Sequence, residues 1–265
     1  TFDDVTRTEP ERSLLRPTHK RSGRSAKGRG ATVLALTGNR QSPLAKAADG
    51  VFLARGREES RQDSTAAVMQ LAAMHSLAVV AARVLKRPSP QTSLLEGELQ
   101  ALPDHVEWAL TQLPEAVRSF VGQLFPACAI SLVAGGLYYP AALLGARVLR
   151  SLGGRRVRVL APDELAGDAA APFKSGETIV VLAGSRSPLR KQVRAVVEKL
   201  QRAGVEILAI SDHNEAEVTR RARLAVLLPN LSEQVGSIVA LVFLDWVAGH
   251  LAAHPTRQEP PPPGA

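Results

Sequence analysis

The sequence predicts an α/β protein, a three-layer sandwich in which parallel strands are covered by helices on both faces. Three observations lead there. Short runs of β-branched and aliphatic residues (Val33 to Leu36, Ile179 to Leu182, Ile207 to Ile210) alternate with segments of helical periodicity, the pattern of strands buried on both faces. Each run ends in a glycine- or serine-bearing turn that opens a helix. One unit of this kind occurs twice: Gly30 to Thr37 (GATVLALT) reads like Gly204 to Ser211 (GVEILAIS).

At the same offset Ala48 to Leu53 falls on Ala222 to Leu227 and Glu59 falls on Glu233. Each copy closes in a long apolar helix, Ser64 to Lys86 and Gln234 to His250, giving the order strand, short helix, strand, loop, long helix. Residues 1–29 are expected to be a disordered basic arm, 30–88 a first domain, 89–254 a second domain with leading helices, and 255–265 a disordered proline-rich tail. Arg87 to Gln91, with Pro88 and Pro90, is the linker. Between Glu96 and Phe125, Leu99, Val106, Ala109, Leu110, Leu113, Val117 and Phe120 recur at helical spacing, and Pro103 and Pro114 cut the run into pieces.

The second copy has every expected part: a strand into Gly135-Gly136, a helix from Pro140, strands 157–160 and 179–182, the loop 183–187 and a helix over 188–202. The first copy does not. Seven residues separate Ser22 from Gly30 where sixteen separate Ser187 from Gly204, too few for a helix of about four turns. The first domain therefore reads as truncated.

Composition narrows the function. The chain has 265 residues, 45% of them hydrophobic, enough for a packed core. A single cysteine, Cys128, excludes an internal disulfide and a cysteine-based zinc cage, and the cytoplasm is the expected compartment. None of the six histidines stands in metal-ligand spacing, so no metal or cofactor is expected. No apolar stretch opens the sequence, and no secretory signal is expected. Ala66 to Ala82 is long and uncharged, but Gln70, His75 and Ser76 interrupt it, and the expectation is a buried helix rather than a membrane span. The net charge of +8 is concentrated in Arg12, Arg16, Lys20, Arg21, Arg24, Lys27 and Arg29. Without interleaved aromatics this run reads first as a solvated end; nucleic acid is kept as a secondary partner.

Ligands of open parallel sheets collect at the carboxyl ends of strands, where helix N-termini present free N–H groups to phosphate. Three loops qualify: Gly135-Gly136 with Tyr139; Ser185 and Ser187; and, in the first copy, Ser22, Gly23 and Ser25 together with Ser64 and Thr65. Each serine or threonine also suits an ordinary helix cap; the combination points to a phosphate site.

These segments resemble the tandem sugar isomerase (SIS) domain family, with its flavodoxin-like domains, and most of all the isomerase half of the glucosamine-6-phosphate synthases. Arg21-Ser-Gly-Arg-Ser25 and Asp63-Ser-Thr-Ala66 match in part that family's two phosphate-binding motifs, Glu59 matches the glutamate before the second, and Gly135 to Ala146 follows its Gly-x-Gly-x-x-Tyr-Pro segment. The resemblance spans about residues 20 to 254. It implies a phosphosugar ligand and a homodimer.

The departures fall on the chemistry. Leu144, Val148 and Ser151 stand where the resemblance places acid–base residues, and Gly167 replaces the ring-opening histidine in Glu164-Leu-Ala-Gly-Asp168. Aldose–ketose isomerisation needs a base to carry a proton between adjacent carbons; the remaining candidates are Glu59 and Glu164, and Asp168 is the other acid near the second. The expectation is a phosphosugar-binding double-SIS protein, related to aldose–ketose isomerases and deaminases of amino-sugar phosphates, with impaired or absent isomerase chemistry. The alternative is a non-enzymatic regulatory module that senses a sugar phosphate.

Overall fold

The computed structural model describes residues 26–54, 64–127, 129–165, 173 and 177–253. Outside these lie most of the basic arm with Ser22, Gly23 and Ser25, as well as Glu59, Cys128, Gly167, Asp168 and the proline-rich tail; of Ser64 only the backbone is described. The chain divides into two compact units, 1–74 and 75–265.

In the first unit, β1 (Leu34–Thr37) and β2 (Gly50–Leu53) pair in parallel, Leu34 opposite Gly50 and Thr37 opposite Leu53. The short helix α1 (Pro43–Ala47) joins them. Ser42 starts it by accepting from the Ala45 N–H, and Pro43 fills the first turn, where its missing N–H costs no bond. Asp49 fixes the entry to β1. Its carboxylate accepts from the Val33 N–H at 2.8 Å and pairs with Lys27 at 2.8 Å. Lys27, assigned from sequence to the disordered arm, is thus tied to the first unit.

The long helix α2 (Ser64–Val84) begins in the first unit and ends in the second. It is long and apolar enough to cross a membrane by length and composition, and only 6% of its apolar window is buried. The expectation of a buried helix is corrected: apolar residues lie all around α2, while Met69, Met74, Val80 and Val84 are exposed. Val79 lies in the core of the second unit, whereas Val80 beside it faces outward.

The prolines cut the connector as the sequence indicates, into α3 (Pro90–Gln100), α4 (Leu102–Gln112) and α5 (Pro114–Leu124). Ser89 and Thr92 form a reciprocal cap at the start of α3. The sheet follows: β3 (Ala129–Ala134), α6 (Tyr138–Ser151), β4 (Val157–Leu160), a 3-10 turn (Pro162–Leu165), β5 (Glu177–Leu182), α7 (Arg190–Arg202), β6 (Ile207–Asp212), α8 (Ala216–Thr219), β7 (Leu224–Leu228) and α9 (Glu233–Ala253). The α6 helix starts two residues before Pro140, because a proline inside the first turn displaces no helical hydrogen bond. Strands run β4-β3-β5-β6-β7, all parallel.

Alternate residues of each strand serve opposite faces. Leu132, Val180, Leu182, Leu208 and Ile210 pack with Phe120 of α5, Ala142 and Ala146 of α6, and Phe243 and Leu244 of α9. Val133, Ile179, Val181 and Ala209 pack with Val193, Val196, Val197 and Leu200 of α7. Helices on both sides of a parallel sheet make the predicted three layers. Among the described residues one more helix, α9, is long and apolar enough to cross a membrane, but it is 67% buried and packs in the core of this sandwich.

Candidate functional site

The strand order places a reversal between β3 and β5: one connection leaves β3 toward β4, and the next leads back across to β5. Crevices at such a reversal, at the carboxyl ends of strands, are where this architecture takes ligands. The two segments there are Gly135-Gly136, after β3, and Ser185 to Ser187, after β5. Tyr138, Asp212 at the end of β6 and Glu233 at the head of α9 complete the cluster.

Backbone geometry decides the first segment. Gly136 has φ of +60°, and a Cβ there would lie 2.1 Å from Glu233 Oε1. No side chain fits. Gly184 plays a second close-packed part, since its missing Cβ would sit 2.6 Å from the Tyr138 hydroxyl. Tyr138 is buried, and that burial, together with the negative charges of Asp212 and Glu233, pushes its phenol above the ordinary tyrosine range. Tyr139, the tyrosine singled out from sequence, is half-buried and packs against the core.

The second segment is fully knitted. The Ser185 N–H donates to Asp212 Oδ2 at 2.6 Å, and its hydroxyl donates to Asn230 Oδ1 at 3.3 Å. The Ser187 hydroxyl donates to Glu233 Oε1 at 2.5 Å while accepting from the Leu189 N–H at 3.2 Å. Arg190 donates to the Ser185 carbonyl at 2.8 Å. At the head of α9 the Ser232 N–H donates to both oxygens of Glu98, at 3.0 and 2.8 Å, and Arg186 pairs with the same carboxylate at 3.3 Å.

The structure therefore brings Gly135, Gly136, Ser185 and Ser187 to one end of one sheet. Thr65 lies in the first unit, near the start of α2, and is exposed. Glu164, one of the two acid–base candidates, is exposed and accepts from the Ala161 N–H at 2.5 Å, which makes it the cap of its own 3-10 turn. Leu144 and Val148 lie on α6, and the Ser151 hydroxyl donates to the Val148 carbonyl at 3.3 Å. Among the described residues no group of three or more His, Cys, Asp or Glu side chains could hold a metal ion.

Sequence reading missed Glu98, Asp212, Asn230 and Ser232 as parts of this site, and met Glu233 only as the repeat counterpart of Glu59. That correspondence was the available signal for Glu233. None existed for Glu98, which lies far from Ser232 along the chain.

Residues 123–250 match the family model described as SIS domain, so a SIS domain is present. The chain is 29% identical over 229 residues to the isomerizing glutamine–fructose-6-phosphate aminotransferase of Thermococcus kodakarensis, a match covering 86% of this chain and 37% of that protein. The chain thus spans little more than a third of that curated relative. Its structure is similar to the C-terminal domain of glucosamine-fructose-6-phosphate aminotransferase from Francisella tularensis, with a TM-score of 0.77 and 19% identity over 88% of this chain and 66% of that one. A structure described as a phosphosugar isomerase from Silicibacter pomeroyi is similar over 89% of this chain and 67% of its own, with a TM-score of 0.73 and 16% identity.

Proposed function

We propose that this chain is a cytoplasmic phosphosugar-binding protein of two SIS-type units, the first incomplete, with isomerase chemistry impaired or lost. The observation that carries the reading is the match of residues 123–250 to the SIS model. The likeness to an isomerizing fructose-6-phosphate aminotransferase and to a protein described as a phosphosugar isomerase supports a sugar phosphate as the ligand class. The first unit repeats the order of β6, α8, β7 and α9 in β1, α1, β2 and α2, which supports two units of one kind.

The chemistry supports impairment. Moving a proton between adjacent carbons needs a base free to accept it. Along α6 the side chains at 144, 148 and 151 are Leu, Val and Ser. Glu98, Asp212 and Glu233 each accept hydrogen bonds within the protein. This engagement of the described acids also favours the second reading, a non-enzymatic module in which the sugar phosphate is a signal.

We assign the phosphate to the first unit: Ser64 and Thr65 at the head of α2 with the Ser22 to Ser25 loop, and Arg21 or Arg24 supplying charge. Hydrogen bonds to a charged group contribute about 1.5–3 kcal/mol each. Ser64→Ala with Thr65→Ala should therefore weaken fructose 6-phosphate or glucosamine 6-phosphate binding by roughly two orders of magnitude in calorimetric titration. Ser185→Ala with Ser187→Ala should matter less. The reverse ranking would move the site to the second unit. Conversion of fructose 6-phosphate to glucose 6-phosphate, or ammonia release from glucosamine 6-phosphate, well above background would sink the impaired reading.

A further inference from the structure

The strand-end loops of the second unit have the donors of an anion cradle, and the chain supplies the anions itself. The Glu98 carboxylate accepts two bonds from the Ser232 N–H at the head of α9 and a third from Arg186. The Glu233 carboxylate takes the Ser187 hydroxyl and fills the space beside Gly136 that a side chain would need. Asp212 takes the Ser185 N–H. Glu233 and Asp212 are buried, at 7% and 3% exposure, and the Glu98 side chain is 11% exposed. A carboxylate is charged and accepts through two oxygens, as a phosphate does through three. Two anions brought to one set of buried donors repel each other, so one must be neutralised or displaced.

We propose that the second unit's cradle is internally ligated. Glu98 and Glu233 occupy the positions an external phosphate would take, so sugar-phosphate binding is confined to the first unit. This deepens the phosphosugar reading above and rests on it for its biological meaning, but the occupancy can be tested with inorganic phosphate and without any sugar. Glu98 is the key residue. It comes from α3, outside the sheet, and reaches the cradle by its side chain alone, so its charge can be removed without touching a strand or its loops.

The test is an amide NMR titration of the full chain with inorganic phosphate, following Ser185, Ser187 and Ser232. In the wild type these amides should not move. Glu98→Ala, which empties the position as well as removing the charge, should show saturable shifts at Ser232, with a gain of roughly tenfold or more in phosphate affinity there. Glu233→Ala, which frees the Ser187 hydroxyl, should do likewise at Ser187. Glu115→Ala, which removes an equal charge from an exposed pair with Arg118 elsewhere in the unit, should change nothing at these amides. Shifts in the wild type would overturn internal ligation. Silence in a folded Glu98→Ala protein, or equal shifts in Glu115→Ala, would overturn it as well. Absence of sugar-phosphate binding by the wild type, with the Glu98→Ala response intact, would instead count against the phosphosugar reading alone.

Discussion

Tyr138 shows how one side chain records its surroundings. Its hydroxyl lies between the backbones of Gly184 and Gly236, and burial with two neighbouring carboxylates disfavours the phenolate. The folded pKa is raised, so the folded state holds the proton more tightly than the unfolded chain. Tyrosine therefore contributes stability that is fully present below about pH 10, the unfolded value, and is lost as pH rises above it. Urea midpoints measured from pH 8 to 11 should fall above pH 10, and a Tyr138→Phe variant should show a shallower fall. Equal slopes would show that other groups set the alkaline limit. The sequence contains only two tyrosines, adjacent to each other, and a helix turns them to different sides. Resemblance drew attention to Tyr139; the rotation of α6 brings Tyr138 to the strand ends.

Helices α9 and α2 have the same length and similar hydropathy but opposite environments. Both are long and apolar, yet α9 is mostly covered while α2 is not. In α9, Phe243 meets Phe120 of α5 edge to face at 5.3 Å with the rings at 87°, and both are fully buried. Gly145 of α6 allows α9 to approach closely, since a Cβ there would lie 2.5 Å from Leu244. Phe243→Ala removes the stacking and leaves a cavity, at a cost of about 3–5 kcal/mol. Chemical denaturation should show that loss with the far-ultraviolet spectrum retained. A cost under about 1 kcal/mol would mean that α9 can settle into the space and is not held as tightly as the contacts indicate. Long apolar runs located both helices. They could not say which was covered, because burial depends on what packs against a helix as well as on its own residues.

At the scale of the whole molecule, the exposed residues of α2 suggest assembly. Val80 is 53% and Val84 74% exposed on the part of α2 that lies in the second unit, and large apolar side chains left in water favour a covering partner. We expect a homodimer, and sedimentation velocity should find one at micromolar concentration; a stable, well-folded monomer there would reject it. Strand runs, proline-cut helices and the Gly135-Gly136 turn follow from local residue choice, and so the sequence determined the α/β class, the connector helices and the end of the sheet at which the loops gather. The pairing of Glu98 with Ser232, of Glu233 with Ser187 and of Arg194 with the fully buried Glu215 was decided only by the tertiary structure. Periodicity reports which face of an element is apolar, whereas a polar pair between elements depends on where the whole sheet sets their ends.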